Sequence, residues 1–269
     1  MAQPRAMVGE SVRMDGADVI WVDPPNRRLL RWRADGGGLV DLTLPMPVWS
    51  LGRCPDGSWV GAGENGFCRV DVRTGEMAEG PPAPLGRGCR LNDMTVDAQG
   101  GLWAGSMHRG LLATKGGLFH APSVEAPIIE VASGLGVANG MAFVDEGRTL
   151  LVIDTLSRTL LAYPAATPGE VLGEPVVVAD FLAVPGKPDG MAVAPDGAVW
   201  VAMWGGGCIV RLAANGAVEE TVGLPTPHVG SLGFATDGTA YVSSSRARLT
   251  EATLGANPDA GGLFAVRPP

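Results

Sequence analysis

The hydrophobic positions of this chain fall in short runs, each closed by a turn signal rather than continued at helical spacing. Runs such as Val19-Ile20-Trp21-Val22, Val199-Trp200-Val201 and Cys208-Ile209-Val210-Arg211-Leu212 are rich in β-branched and aromatic residues. That is the pattern of short buried strands. An Asp, then a Gly, then an apolar strand that often holds Trp or Tyr, recurs six times. The aspartates are Asp15, Asp56, Asp97, Asp145, Asp196 and Asp237, separated by 41, 41, 48, 51 and 41 residues. A second apolar strand follows each of these after a short turn, as in Leu29-Leu30-Arg31-Trp32 and Thr159-Leu160-Leu161-Ala162-Tyr163. A shorter apolar segment, such as Gly140-Met141-Ala142-Phe143-Val144, precedes each Asp.

A unit of about 44 residues with four short strands is the size of one propeller blade. Six such units use nearly the whole chain. The pattern therefore predicts an all-β fold: a six-bladed β-propeller with four antiparallel strands per blade, as a single domain over 1–269. A β-sandwich would explain the Asp–Gly turns but not six nearly equal steps. The glycines belong in the turns, where they supply positive φ. The recurring Trp or Tyr belongs between blades, as packing.

Composition supports this and narrows the function. Gly at 40 and Pro at 22 of 269 residues are about twice the ordinary combined share of about 12%. That excludes long helices. No apolar run is long enough for a membrane-spanning helix. The net charge is −8, and only Lys115 and Lys187 are lysines. Without a Lys/Arg cluster, nucleic-acid binding is excluded as a primary role. Cys54, Cys68, Cys89 and Cys208, with His108, His120 and His228, show no zinc-site spacing. The first residues lack a signal-peptide core, so the sequence predicts a cytoplasmic protein with reduced thiols. It predicts a monomer or small homo-oligomer acting on a small molecule, with no membrane partner.

In a propeller the innermost strand of each blade lines the central channel. The residues at the start of that strand lie five to eight positions before each turn Asp: Glu10, Trp49-Ser50, Asn92, Asn139, Asp189 and Val229-Ser231. Four of these six stretches offer a carboxylate or carboxamide. Asn92-Asp93-Met94, Asn139-Gly140-Met141 and Asp189-Gly190-Met191 share one local pattern, which implies equivalent geometry. An all-oxygen set suits a hard divalent cation such as Ca²⁺, Mg²⁺ or Mn²⁺. Without one, Glu10 and Asp189 would repel at close quarters, and one would bind a proton. Taken singly, each Asx residue also reads as a turn cap. Arg90, two residues before Asn92, points to the same side of an extended strand, where it could bind an anionic oxygen or form an ordinary ion pair.

At these residues the sequence resembles the gluconolactonase and regucalcin (senescence marker protein) family of six-bladed propellers. The matching stretches are Arg90-Leu91-Asn92-Asp93, Asp97-Ala98-Gln99-Gly100-Gly101-Leu102-Trp103-Ala104-Gly105-Ser106-Met107, Ala138-Asn139-Gly140-Met141-Ala142, Lys187-Pro188-Asp189-Gly190-Met191, Trp204-Gly205-Gly206 and Gly261-Gly262-Leu263-Phe264. The resemblance implies a metal-dependent lactonase with one divalent cation, whether Ca²⁺, Mg²⁺, Mn²⁺, Zn²⁺ or Fe²⁺. It implies Glu10, Asn139 and Asp189 as its ligands, Asp189 also as general base, and Arg90 and Asn92 as substrate contacts. Three contexts depart from the family, one of them the stretch before the last blade, Ser231-Leu232-Gly233-Phe234 where Phe-Gly-Gly is usual. Glu10 is followed by Ser11-Val12-Arg13-Met14 instead of Gly-Pro-x-Trp, and Met107 is followed by His108-Arg109, where some sugar lactonases carry an acidic residue. A metal-dependent enzyme for a non-sugar substrate, biosynthetic or organophosphate-type, and a non-catalytic binding propeller are the competing readings.

Overall fold

The computed structural model describes residues 3–164 and 172–268. The strands of the first sheet are β1 (Glu10–Asp15), β2 (Asp18–Asp23), β3 (Arg28–Arg33) and β4 (Gly38–Thr43). The second holds β5 (Val48–Arg53), β6 (Trp59–Gly63), β7 (Gly66–Val70) and β8 (Met77–Pro82). The third holds β9 (Cys89–Val96), β10 (Leu102–His108), β11 (Gly116–Ala121) and β12 (Ile129–Leu135). The fourth holds β13 (Ala138–Val144), β14 (Thr149–Asp154), β15 (Thr159–Pro164) and β16 (Val176–Asp180). The fifth holds β17 (Lys187–Val193), β18 (Val199–Trp204), β19 (Cys208–Leu212) and β20 (Val218–Gly223). The last holds β21 (Val229–Phe234), β22 (Ala240–Ser244) and β23 (Leu263–Val266), with a short helix α1 (Glu251–Ala256) before β23.

Each sheet is antiparallel and ordered as in the chain, which is the blade of a six-bladed β-propeller. Five blades have four strands and the last has three among the described residues. No helix among them is long and apolar enough to cross a membrane. The chain divides into two compact units. One comprises residues up to Thr43 and from Phe181 on, and so holds the first, fifth and last blades. The other, Leu44–Asp180, holds the second to fourth.

The Asp–Gly turns explain why these residues form these hairpins. Gly16, Gly57, Gly100, Gly147, Gly197 and Gly238 all have positive φ, between 64° and 91°, a region that an L side chain resists. Four of the aspartates close their turns from the side chain. Asp56, Asp97, Asp196 and Asp237 accept the backbone N–H two residues on, from Ser58, Gln99, Ala198 and Thr239, at 2.9–3.0 Å. Asp97 also accepts from Gly101 N (2.7 Å) and from the Trp103 indole N–H (2.9 Å). Turn and strand are thereby joined by one buried carboxylate.

Apolar clusters fill the space between neighbouring blades within each unit. In one, Val60 and Phe67 pack with Leu91, Met94 and Phe119. In the other, Trp200 and Ile209 pack with Val229, Leu232 and Val242. The recurring aromatics join consecutive blades: Trp103 meets Phe143 edge-on at 5.6 Å, Trp200 meets Phe234 at 6.1 Å, and Trp32 meets Tyr241 at 6.1 Å. Such pairs add about 0.5–1.5 kcal/mol beyond their buried area. All four cysteines are free. Burial pushes the Cys68 thiol up to about 12, so it is a packing group rather than a nucleophile.

The Asp97 carboxylate should therefore matter far more than the exposed Asp196. Asp97→Ala strands the Gly101 and Trp103 N–H groups and should cost about 2–4 kcal/mol in urea unfolding. Asp196→Ala should cost no more than about 1 kcal/mol.

Candidate active site

The predicted site residues all lie on the first strand of a blade. In the Leu44–Asp180 unit, the first strands β5, β9 and β13 lie side by side; in the other, β17, β21 and β1 do. Every one of these strands slips register against its partner. The slip falls at Trp49 in β5, Asn92-Asp93 in β9, Asn139-Gly140 in β13, Asp189-Gly190 in β17 and Gly230 in β21. In β1 it falls just after Glu10, at Ser11-Val12. A bulge bends a strand and re-aims its side chains. The fold therefore repeats one local distortion at, or one step past, each position that the sequence aligns. Ser11 has φ 56° and is buried, a strained conformation for a non-glycine residue beside a candidate ligand.

Within the Leu44–Asp180 unit, Arg90 is buried, with its guanidinium carbon 3.3 Å from the centroid of the Trp49 ring. Its Nη1 donates to the Leu91 carbonyl at 2.7 Å and to Asn92 Oδ1 at 2.8 Å. Asn92 in turn donates from Nδ2 to the Ala138 carbonyl at 3.1 Å. Trp49, Arg90 and Asn92 thus form one chain that ends at the residue before Asn139. Asn139 is buried and donates from Nδ2 to Thr155 Oγ1 at 3.1 Å. That contact places its carbonyl oxygen at the opposite end of the amide. Asp93 turns elsewhere: it accepts from Ser50 Oγ and from Met94 N, linking β9 to β5.

Within the other unit, Asp189 is buried at the slip of β17. A Cβ on the next residue, Gly190, would lie 2.7 Å from the Gly230 carbonyl oxygen. A Cβ on Gly230 would lie 2.7 Å from the Gly9 carbonyl and 3.0 Å from Glu10 Oε1. The Glu10 carboxylate therefore occupies the space that a side chain at Gly230 would fill. Gly9 is held on both sides, donating to Ser245 Oγ at 3.0 Å and accepting from Ser243 Oγ at 2.8 Å. Trp204 stands opposite Lys187 in the β17–β18 register and stacks on His228 at 4.4 Å and 16°. Burial lowers the His228 pKa, so its ring is neutral at pH 7.

Glu10, Asn139 and Asp189 offer only oxygen, the donor type of hard divalent cations. Two carboxylates and one amide oxygen make a donor set that fits that chemistry. No group of three or more His, Cys, Asp or Glu side chains capable of holding a metal occurs among the described residues. The expected set has two acids, with an amide as the third ligand. Sequence reasoning missed Trp49 as the platform for Arg90 and His228 as a stacked partner of Trp204. The signal for Trp49 was its aligned position; His228 carries no comparable signal.

A family profile described as the SMP-30/Gluconolactonase/LRE-like region matches residues 8–246. An L-arabinolactonase of Azospirillum brasilense is 28% identical over 254 residues, covering 92% of this chain and 83% of that protein. A 6-deoxy-6-sulfogluconolactonase of Pseudomonas putida is 29% identical over 253 residues, covering 92% and 86%. The crystal structure of a calcium-binding protein, regucalcin, from Agrobacterium tumefaciens superposes with a TM-score of 0.88 at 23% identity, covering 98% of this chain and 91% of that one.

The Arg90 platform is testable by stability. Trp49→Leu keeps an apolar group but removes the aromatic face and should cost about 1–2 kcal/mol in urea unfolding. A loss below the error of that measurement would show that the stacking contributes nothing.

Proposed function

Because the chain belongs to the SMP-30/Gluconolactonase/LRE-like family, we propose that it is a divalent-metal-dependent lactonase that opens a sugar lactone to the hydroxy acid. The observation that supports this reading is that Glu10, Asn92, Asn139 and Asp189 hold corresponding positions on the first strands of four blades, each at or beside a register slip. Two similar proteins named as lactonases support the reaction class.

Glu10, Asn139 and Asp189 would hold the cation through oxygen. When bound, a divalent cation supplies Lewis-acid polarisation of a carbonyl. Asp189 accepts a proton from the attacking water as its oxygen bonds to the lactone carbonyl carbon. The ring C–O bond then breaks, and the departing ring oxygen takes up a proton to become the hydroxyl of the product. Arg90 is suited to the substrate's oxygens: the Trp49 ring and Asn92 fix its fork in one orientation, so little freedom is lost on binding. Asn92 holds that fork and offers a second polar contact.

Titrimetric assay on a panel of five- and six-membered sugar lactones tests this. Chelation should abolish hydrolysis, and Mg²⁺, Mn²⁺, Ca²⁺, Zn²⁺ or Fe²⁺ should restore it. Full activity in chelator would overturn the metal dependence, and no hydrolysis with any cation would overturn the lactonase reading. Asp189→Asn should lower kcat by about 10²–10⁴-fold.

A further inference from the structure

Two buried aspartates have no part in the chemistry above. Asp23 ends β2 and is fully buried; Asp154 ends β14 and is 7% exposed. Each reaches back to the segment leading into its own blade's first strand. Asp23 accepts Met7 N–H on Oδ2 and Val8 N–H on Oδ1, both at 3.0 Å. Its Oδ2 also takes Asn26 Nδ2 at 2.8 Å and Arg28 Nη1 at 3.4 Å. Asp154 accepts Gly136 N–H on Oδ2 at 3.0 Å, and Val137 N–H and Leu156 N–H on Oδ1, both at 3.1 Å. In both blades the second clamped residue stands two positions before a candidate ligand: Val8 before Glu10, and Val137 before Asn139. The same device is built once in each unit.

The fold does not require it. The register places Gly63, Ser106, Met203 and Ser244 where Asp154 stands in its own blade. A buried carboxylate gives up its hydration, yet among the described residues one clamps the segment before the first strand only behind Glu10 and Asn139. The third ligand blade stiffens the same segment covalently. Pro188 fixes its own φ and confines Lys187 to extended backbone just before Asp189. Thr155 extends the Asp154 clamp: its N–H donates to Val137 O at 3.0 Å, and its Oγ1 receives the Asn139 amide.

We propose that Asp23 and Asp154 are positioning residues, each locking the backbone ahead of one ligand, and that Thr155 completes the second lock by turning the Asn139 carbonyl oxygen outward. This rests on the metal reading above. Residues behind metal ligands typically govern affinity by about 10–100-fold.

Calorimetric titration of metal-free protein with Mn²⁺ reads this apart from turnover, with the melting temperature of the metal-free protein measured alongside. Asp23→Asn and Asp154→Asn each set an amide NH₂ against a backbone N–H. Each should weaken Mn²⁺ binding about 10–100-fold. Thr155→Val should weaken it with little change in melting temperature, and Thr155→Ser should restore it. Folded Asn variants that bind Mn²⁺ as tightly as the parent would reduce both aspartates to fold-holding groups and overturn the proposal. Where an Asn variant does not fold, Thr155→Val decides, and unchanged affinity there overturns the proposal as well. A parent protein that binds neither Mn²⁺ nor Ca²⁺ overturns the metal reading itself and the positioning roles with it.

Discussion

Inside each unit, a first strand meets the neighbouring blade backbone against backbone, and at the closest points the space between them excludes even a methyl group. A Cβ at Gly105 would sit 2.5 Å from the Ala138 carbonyl oxygen, and one at Gly190 would sit 2.7 Å from that of Gly230. Carbon and oxygen need more than 3 Å, so these positions admit only glycine. Close approach also brings polar backbone groups out of water and obliges them to find partners. Asn92, Ser243 and Ser245 meet that demand by bonding the neighbouring strand's carbonyl or N–H groups.

The same crowding explains where chemistry can arise. A regular strand cannot hold its ladder and also turn a side chain out of the strict alternation of its two faces. Each first strand slips register once against its own partner, and the side chains at the slip are those that the hairpin ladder does not organise. Orientation at the slips and beside them must come from elsewhere: Thr155 for Asn139, the Gly230 space for Glu10, the Trp49 ring for Arg90. Such sites are rigid because several weak contacts agree, each of modest strength in isolation.

Much of this was legible in the sequence because it is chemistry local in the chain. A turn that needs positive φ selects Gly, and an Asx turn selects Asp, so six Asp–Gly signals marked six blades. Counting back from each Asp reached the slips at Trp49, Asn92, Asn139, Asp189 and Gly230, since a short strand fixes that distance. The clamps were not legible. Asp23 and Asp154 carry no local signal in the chain, and their partners lie 15–18 residues away across a hairpin, visible only once the register is known. Likewise nothing local in the chain announces that Trp49 lies beneath Arg90, or that Ser11 takes up a left-handed backbone.

The seating of Gly9 carries a consequence for how the molecule forms. Its bonds to Ser245 and Ser243 span 236 and 234 residues of sequence, and the Ala6 N–H reaches Gly261 across a comparable distance. Contacts so remote close the largest loops in the chain and form after local hairpins have their own rewards in place. Glu10 is synthesised long before Ser243 and Ser245, yet the seating of its neighbour Gly9 needs both. A nascent chain halted anywhere before Ser243 would lack a completed Glu10 environment, so that environment forms in one late event rather than blade by blade.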